Sequence, residues 1–292
     1  MTASRPDVVG RLAPTPSGGL HLGNITAFAA AWLSARQRGG RLLLRVEDID
    51  TGRAREPIVT QLREDLRWLG LGWDEEVARQ STRTYDDALR ALAPNLYRCV
   101  CTRQQLSASH GRYPGTCRDA GHADGAIRLR LPEGRVTFVD RRHGPQTRDP
   151  AVFGDPVLVR RDGLVAYNLA VVVDDLRDGV TEVVRGGDLL DYTAVQLRIY
   201  EALGASPPSW LHAPLVLGPD GRKLSKSHAS LEVAALRARG WSPREVWRVV
   251  LPWLGVDGDD PAAAVDRFDP TGGVDPARRV DTIHAPAALA RA

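Results

Sequence analysis

Apolar residues first gather in a short run, Val8 to Leu12, with the length and composition of a buried strand. It enters Ala13-Pro14-Thr15-Pro16-Ser17-Gly18-Gly19, too rich in Pro and Gly to be regular. Ile25, Phe28, Ala29, Trp32 and Leu33 then recur at helical spacing, which predicts a helix opening at His21-Leu22-Gly23-Asn24 and running to about Arg38. Arg41 to Val46 repeats the strand pattern and ends in Glu47-Asp48-Ile49-Asp50. Helical periods return from about Glu56 to Leu69 and from Thr84 to Leu92. Strand, helix, strand, helix predicts an α/β fold with a Rossmann-type doubly wound parallel sheet.

Between 95 and 155 the helical period fades, Gly and Arg rise, and the predicted strands are short: Ala126 to Leu131 and Val136 to Val139. This stretch reads as an insertion in the sheet domain. Beyond it the pattern predicts strands at Val157 to Val159, Leu164 to Ala166 and Thr181 to Val184. Leu169 to Asp175 fits either helix or strand, because a short apolar run has no decisive period. A helix is expected from about Leu189 to Leu203, and Trp210 to Leu217 leads into a loop. Ser242-Pro243-Arg244-Glu245 has an N-cap, a first-turn Pro and a capping-box Glu, so a helix should follow to Leu254. After Gly255 the chain is rich in Asp, Pro, Ala and Arg, with one more helix expected after Pro276. The expected organisation is 1–94 and 156–228 as two halves of a nucleotide-binding domain, 95–155 as an inserted subdomain, and 229–292 as a short helical C-terminal region.

Composition narrows the picture. The 292 residues are 43% hydrophobic and 26% charged, as in a soluble globular protein. No run of about 18 apolar residues is present, so no membrane partner is expected. Met1 to Arg11 lacks the apolar core of a signal peptide, which leads to a cytoplasmic expectation. A formal charge of +3 is too small to establish a nucleic-acid partner. The three cysteines, an odd number, fall between Cys99 and Cys117, which fits a metal or free thiols in a reducing compartment better than a disulfide framework.

The candidate chemistry starts from lysine usage. Of 39 Lys plus Arg, only Lys223 and Lys226 are lysines, both in Lys223-Leu224-Ser225-Lys226-Ser227. Lys is a mobile point charge where Arg is a planar fork, and a point charge suits a phosphate that gains charge during reaction. The strand, Gly-rich loop and helix at the N-terminus aim free backbone N–H groups at a phosphate. His21 adds a donor there, and Gly23 leaves room for a flat ring against the backbone. The carboxylates after Val46 can hold an ammonium group or cap the next helix. Arg185, before Gly186-Gly187-Asp188, can fork a carboxylate or serve a helix start. Cys99-Val100-Cys101 with Cys117 makes a three-thiolate zinc set lacking its fourth ligand. His110, His122 and Tyr113 are the candidates, with His favoured on general grounds, and reduced free thiols remain the alternative.

Taken together, these motifs resemble the class I aminoacyl-tRNA synthetases. His21-Leu22-Gly23-Asn24 is similar to that class's HIGH signature and Lys223-Leu224-Ser225-Lys226-Ser227 to its KMSKS loop. Arg11-Leu12-Ala13-Pro14-Thr15-Pro16-Ser17-Gly18 and Arg45-Val46-Glu47-Asp48-Ile49-Asp50 look like the glutamate and glutamine subgroup. Full glutamyl-tRNA synthetases continue into a long anticodon-reading region, for which this chain has no room. It is therefore similar to the short glutamyl-queuosine tRNA(Asp) synthetases. That resemblance implies ATP, used with Mg²⁺, and L-glutamate as substrates, with queuosine-bearing tRNA(Asp) as partner and glutamate transferred to the queuosine base. It implies a monomer with one structural zinc on Cys99, Cys101, Tyr113 and Cys117, which replaces the general preference for His. It implies His21, Asn24, Lys223 and Lys226 as catalytic, Gly23 beside ATP with them, and glutamate held by Arg11, Leu12, Ala13, Pro14, Thr15, Glu47, Tyr167 and Arg185. The chain departs from the pattern at Asn24, where the family has a second His, at Leu224 for Met, and at Thr15 for Ser. The competing expectations are a truncated glutamyl-tRNA synthetase charging the tRNA 3′ end, a small-molecule nucleotidylyltransferase, and an inactive RNA-binding relative.

Overall fold

The computed structural model describes residues 8–107, 112–218, 220–224, 231–272 and 282–285. In chain order the elements are β1 (Val9–Leu12), α1 (Leu22–Gln37), β2 (Arg41–Leu44), α2 (Glu56–Trp68), β3 (Glu75–Glu76), α3 (Asp86–Leu92), β4 (Leu96–Cys99), α4 (Arg103–Ser107), β5 (Ala126–Leu129), β6 (Val136–Asp140) and β7 (Gly144–Arg148). They continue with β8 (Val157–Val159), α5 (Tyr167–Arg177), β9 (Glu182–Gly186), α6 (Tyr192–Ala202), β10 (Ser209–Ala213), β11 (Leu215–Leu217), α7 (Val233–Ala238), α8 (Pro243–Trp253), α9 (Pro261–Ala264) and β12 (Thr282–His284). Among the described residues no helix is long and apolar enough to cross a membrane.

β1, β2 and β3 pair in parallel, in the order β1-β2-β3. A second sheet runs β7-β6-β10-β9, with β10 parallel to both β9 and β6, and β7 antiparallel to β6. The two meet at β1 and β9, where the Val9 N–H donates to Thr181 Oγ1 at 2.9 Å and the Thr181 N–H donates to the Val9 carbonyl at 2.9 Å. The spatial order is thus β3-β2-β1-β9-β10-β6-β7. The chain winds outward from β1 to β2 and β3 on one side and from β9 to β10 on the other, where the earlier β6 and β7 complete the edge, so the switch point of the doubly wound sheet lies between β1 and β9. A ligand belongs beyond the carboxyl ends of those two strands.

Strand pleating divides the core in two. Leu12, Leu42, Leu44, Val184 and Leu211 join α1, α2 and α8 on one face. Val9, Leu43, Val183 and Trp210 join α3, α5 and α6 on the other. Helices on both faces explain why these strands read as continuous apolar runs. The same burial explains Leu169 to Asp175: all seven residues are buried, so the segment shows no period, yet it is helical as part of α5. The capping box at Ser242 is present, with Ser242 accepting from the Glu245 N–H, and α8 packs Trp247 into the core.

Two expectations need correction, and two strands were not foreseen. Leu164 to Ala166 is not a strand. The chain turns tightly at Gly163 and pairs only through a bridge from Val165 to Val159 before entering α5. Arg185 lies inside β9, opposite His212 of β10, and not after the strand. The segment Trp210 to Leu217, read only as leading into the lysine loop, forms two strands separated at Pro214. β12 pairs in parallel with β11, which the polar tail gave no reason to expect. The helix expected after Pro276 falls largely outside the described residues. A third, antiparallel sheet, β4-β5-β8, brings Cys99 to the end of β4.

Candidate active site

A cavity of about 350 Å³ opens at the switch point. Arg11, Ala13, Pro14 and Thr15 reach it from β1 and the loop beyond, and His21, Gly23 and Asn24 from the start of α1. Glu47 comes from the end of β2, Tyr167 from the start of α5, Arg185 from β9, and Lys223 with Leu224 from the loop after β11. Residues far apart in the chain thus share one wall. Leu12 is the exception among the expected residues: its side chain is fully buried in the core and does not line the cavity. Lys226 lies outside the described residues.

The start of α1 is built by a reciprocal cap. His21 Nδ1 accepts from the Asn24 N–H at 3.3 Å, and the Asn24 side-chain oxygen accepts from the His21 N–H at 3.1 Å. An Nδ1 that accepts leaves the ring proton on Nε2. Asn24, where a second His was expected, therefore completes the cap that orients His21. Gly23 faces the His21 ring, and a Cβ added there would come within 3.1 Å of it and 3.7 Å of Leu224. The N-terminal motif and the lysine loop thus stand side by side along the cavity at Gly23 and Leu224. Lys223 Nζ donates to Asp188, on the cavity rim.

Beneath the pocket runs a line of buried ions. Asp175 accepts from Arg11 Nε at 3.3 Å and from Arg45 at 2.7 Å, and Arg11 also donates to the Val184 carbonyl at 2.9 Å. Arg45, fully buried, further contacts Asp178 at 3.0 Å and Glu47 at 3.3 Å. Burial raises the proton affinity of Glu47 above its ordinary value, against the pull of Arg45 and Arg11. Asp48 and Asp50 face elsewhere. Asp48 accepts from the Ser81 N–H and hydroxyl at 2.9 and 2.8 Å, and Asp50 pairs with Arg160 at 3.2 Å. Only Glu47 of that acidic trio belongs to the pocket. Arg45 and Asp175 were missed by pattern reading. The signal was an Arg inside an apolar strand and a carboxylate inside a valine run, both of which require partners.

The three cysteines come together away from this cavity. Their Sγ atoms all lie within 4.8 Å of one another, with Cys101 and Cys117 3.6 Å apart. Sulfurs about 2.3 Å from a tetrahedral centre stand about 3.8 Å apart, so the spacing suits zinc. Tyr113 packs in the same cluster and its hydroxyl oxygen accepts from the Cys117 N–H at 2.8 Å. Two glycines with positive φ allow the close packing. A Cβ on Gly154 would meet the Tyr113 carbonyl at 2.2 Å, and one on Gly125 the Cys99 carbonyl at 2.5 Å. His110 lies outside the described residues, and His122 is not part of the cluster.

Fold and site together define a class I tRNA synthetase catalytic domain: the family model "tRNA synthetases class I (E and Q), catalytic domain" matches residues 7–259. The chain is similar to a glutamate tRNA ligase from Elizabethkingia meningosepticum solved in complex with its amino acid. The TM-score is 0.80 at 25% identity, over 98% of this chain and 68% of that one. It is 48% identical to a glutamyl-Q tRNA(Asp) synthetase of Symbiobacterium thermophilum, over 81% of this chain and 83% of that protein. It is 47% identical to the enzyme of the same name from Pseudomonas fluorescens, over 83% and 88%. The chain belongs to the glutamyl-Q tRNA(Asp) synthetase family.

Proposed function

We propose that this chain activates L-glutamate with ATP, without needing tRNA for that step, and transfers it to the queuosine base at the wobble position of tRNA(Asp). The observation that carries the reading is the shared cavity, in which the phosphate-facing N-terminal motif and the lysine loop stand beside a pocket holding two arginines and a buried glutamate. It acts as a cytoplasmic monomer.

In the first step a glutamate α-carboxylate oxygen attacks the α-phosphorus of ATP. The bond to the bridging oxygen breaks and pyrophosphate leaves with that electron pair. Charge builds on phosphoryl oxygens, so the chain contributes positioning and electrostatics. His21 donates through Nε2, the α1 N-terminus adds its N–H dipoles, and Lys223 and Lys226 bring positive charge. Gly23 lets the adenine lie flat. Mg²⁺ neutralises phosphate charge when bound. Arg11 and Arg185 hold the two glutamate carboxylates, Glu47 the ammonium, and Tyr167 with Ala13, Pro14 and Thr15 orients the chain between them. In the second step a queuosine hydroxyl attacks the activated carbonyl carbon and AMP leaves.

Cys99, Cys101, Cys117 and Tyr113 would hold one Zn²⁺. Four protein ligands leave no open position, so its role is structural. The test of the reading is glutamate-dependent exchange of pyrophosphate into ATP with no tRNA present. Exchange supports it, whereas exchange that starts only when tRNA(Glu) is added points to a 3′-charging enzyme.

A further inference from the structure

Behind Arg185 stands a set of buried groups that the steps above do not use. Arg185 Nε donates to His212 Nε2 at 3.0 Å, Nη1 donates to Gln196 Oε1 at 2.7 Å, and Nη2 donates to Thr193 Oγ1 at 2.8 Å and to the Leu189 carbonyl at 3.3 Å. Its guanidinium carbon sits 4.8 Å from the centre of the Trp210 ring. Every one of these partners is neutral, in contrast to Arg11, which shares the Asp175 carboxylate. His212 and Asp140 are both fully buried, and His212 Nδ1 is 2.7 Å from Asp140 Oδ2. Asp140 Oδ1 accepts from the Arg142 and His143 N–H groups at 3.0 and 2.9 Å.

The protons follow from the partners. The Arg185 Nε–H can only donate, so His212 Nε2 must accept and the ring proton sits on Nδ1, donated to Asp140. Burial pushes His212 down to about 4 against the pull of Asp140, which keeps the ring neutral at neutral pH. Burial, the largest single influence, would raise the proton affinity of Asp140, but the His212 hydrogen bond and electrostatic pull together with the His143 N–H outweigh it and hold the carboxyl below its ordinary value. The pair therefore presents one fixed lone pair to Arg185.

The geometry points to Asp140 and His212 as positioning residues that fix the plane of the Arg185 guanidinium through one imposed imidazole tautomer, so that its charge is left for a carboxylate of the bound substrate. This rests on the pocket being the glutamate site. Nε and both Nη2 hydrogens are engaged, which leaves one Nη1 N–H to meet the substrate carboxylate, and a neutral cradle aims that donor without spending the charge.

Asp140→Asn is the informative variant. The two backbone donors hold its carbonyl oxygen at the Oδ1 position, which turns its NH₂ toward His212. The ring must then accept at Nδ1 and carry its proton on Nε2, against the Arg185 Nε–H. A single wrong tautomer is known to disable a site whose geometry is otherwise intact. In tRNA-free pyrophosphate exchange, Asp140→Asn should raise the glutamate KM by about tenfold or more with the ATP KM unchanged. His212→Gln places a carbonyl oxygen near the Nε2 position, so its glutamate KM should stay near wild type, and adding Asp140→Asn to it should change little further. Nitrogen NMR of the wild-type ring should show the proton on Nδ1.

An unchanged glutamate KM in Asp140→Asn, a rise shared equally by ATP, a defect in His212→Gln as large as that of Asp140→Asn, or an Nε2-protonated wild-type ring would each overturn the assignment. Should the wild type show no exchange with glutamate, the functional reading falls, while the NMR result still decides the tautomer. Should Asp140→Asn not fold, the wild-type ring and His212→Gln still decide whether the assignment stands.

Discussion

Glu47 sits where burial and two neighbouring cations pull its proton in opposite directions, and burial wins. A raised acid protonates earlier than an ordinary carboxylate as pH falls, and a protonated Glu47 no longer offsets a substrate ammonium. The glutamate KM in pyrophosphate exchange should therefore climb as pH falls from neutrality into the acid range, before ordinary carboxylates near about 4.3 would titrate. Glu47→Gln should raise that KM roughly tenfold or more at neutral pH and flatten the profile; a wild-type KM that is flat across the range would remove Glu47 from ammonium binding. At the same scale, Lys226→Ala should cost roughly a hundredfold or more in exchange rate, as for other groups aimed at developing charge. Unchanged exchange would take Lys226 out of the reaction. Lys223 already pairs with Asp188, so its loss should cost less than that of Lys226.

At the scale of elements, one carboxylate ties the cysteine-bearing segment to its sheet. Asp155, fully buried at the side chain, accepts from the Tyr97 hydroxyl at 2.6 Å, from both prongs of Arg118 at 2.6 and 2.7 Å, and from the Leu131 N–H at 2.9 Å. Burial, the largest single influence, would raise its proton affinity, but the hydrogen bonds from Arg118, the Leu131 N–H and Tyr97 together outweigh it and hold it below the ordinary value. Its contribution is thus complete above the ordinary aspartate range and is lost as pH falls through the lower folded value. Asp155→Ala, which strands buried donors, should cost about 2 kcal/mol in chemical denaturation at neutral pH, and the gap to wild type should narrow in acid. A gap of equal size at all pH values would deny the carboxylate this role. The proposed zinc ligands lie in the same segment: metal analysis of freshly purified, reduced protein should find one zinc per chain, and none would refute the four-ligand set.

Legibility also divides by element. β1, α1, β2, α2 and α8 are readable from the sequence because apolar period, Pro–Gly punctuation and a capping box all agree. The Leu164 strand fails because a tight turn at Gly163 leaves its return limb a single bridge. The period of α5 is hidden because neighbours cover it all round. In the pocket, motif residues are legible from their types and spacing, but Leu12 is carried along by its neighbours and belongs to the core. Asp140 and His212 give no local signal, because their meaning depends on β6 and β10 lying side by side, which only the fold supplies.

For the whole molecule, the doubly wound sheet explains why one crevice gathers chemistry from β1, β2, β9 and the loop after β11. The C-terminal helix α8 packs on the same core as α1, with the Trp247 indole N–H donating to the Leu69 carbonyl at 3.0 Å. The part of the chain beyond the lysine loop thus buttresses the catalytic core. Transfer to a wobble base requires the anticodon loop itself to reach the crevice. The most direct measurement incubates the protein with labelled glutamate, ATP and purified tRNA(Asp) in three forms: intact, lacking queuosine, and trimmed of its 3′ terminal nucleotides. The proposed function predicts label on the intact and trimmed forms and none on the form without queuosine. Label that persists without queuosine and vanishes with the 3′ end would contradict it.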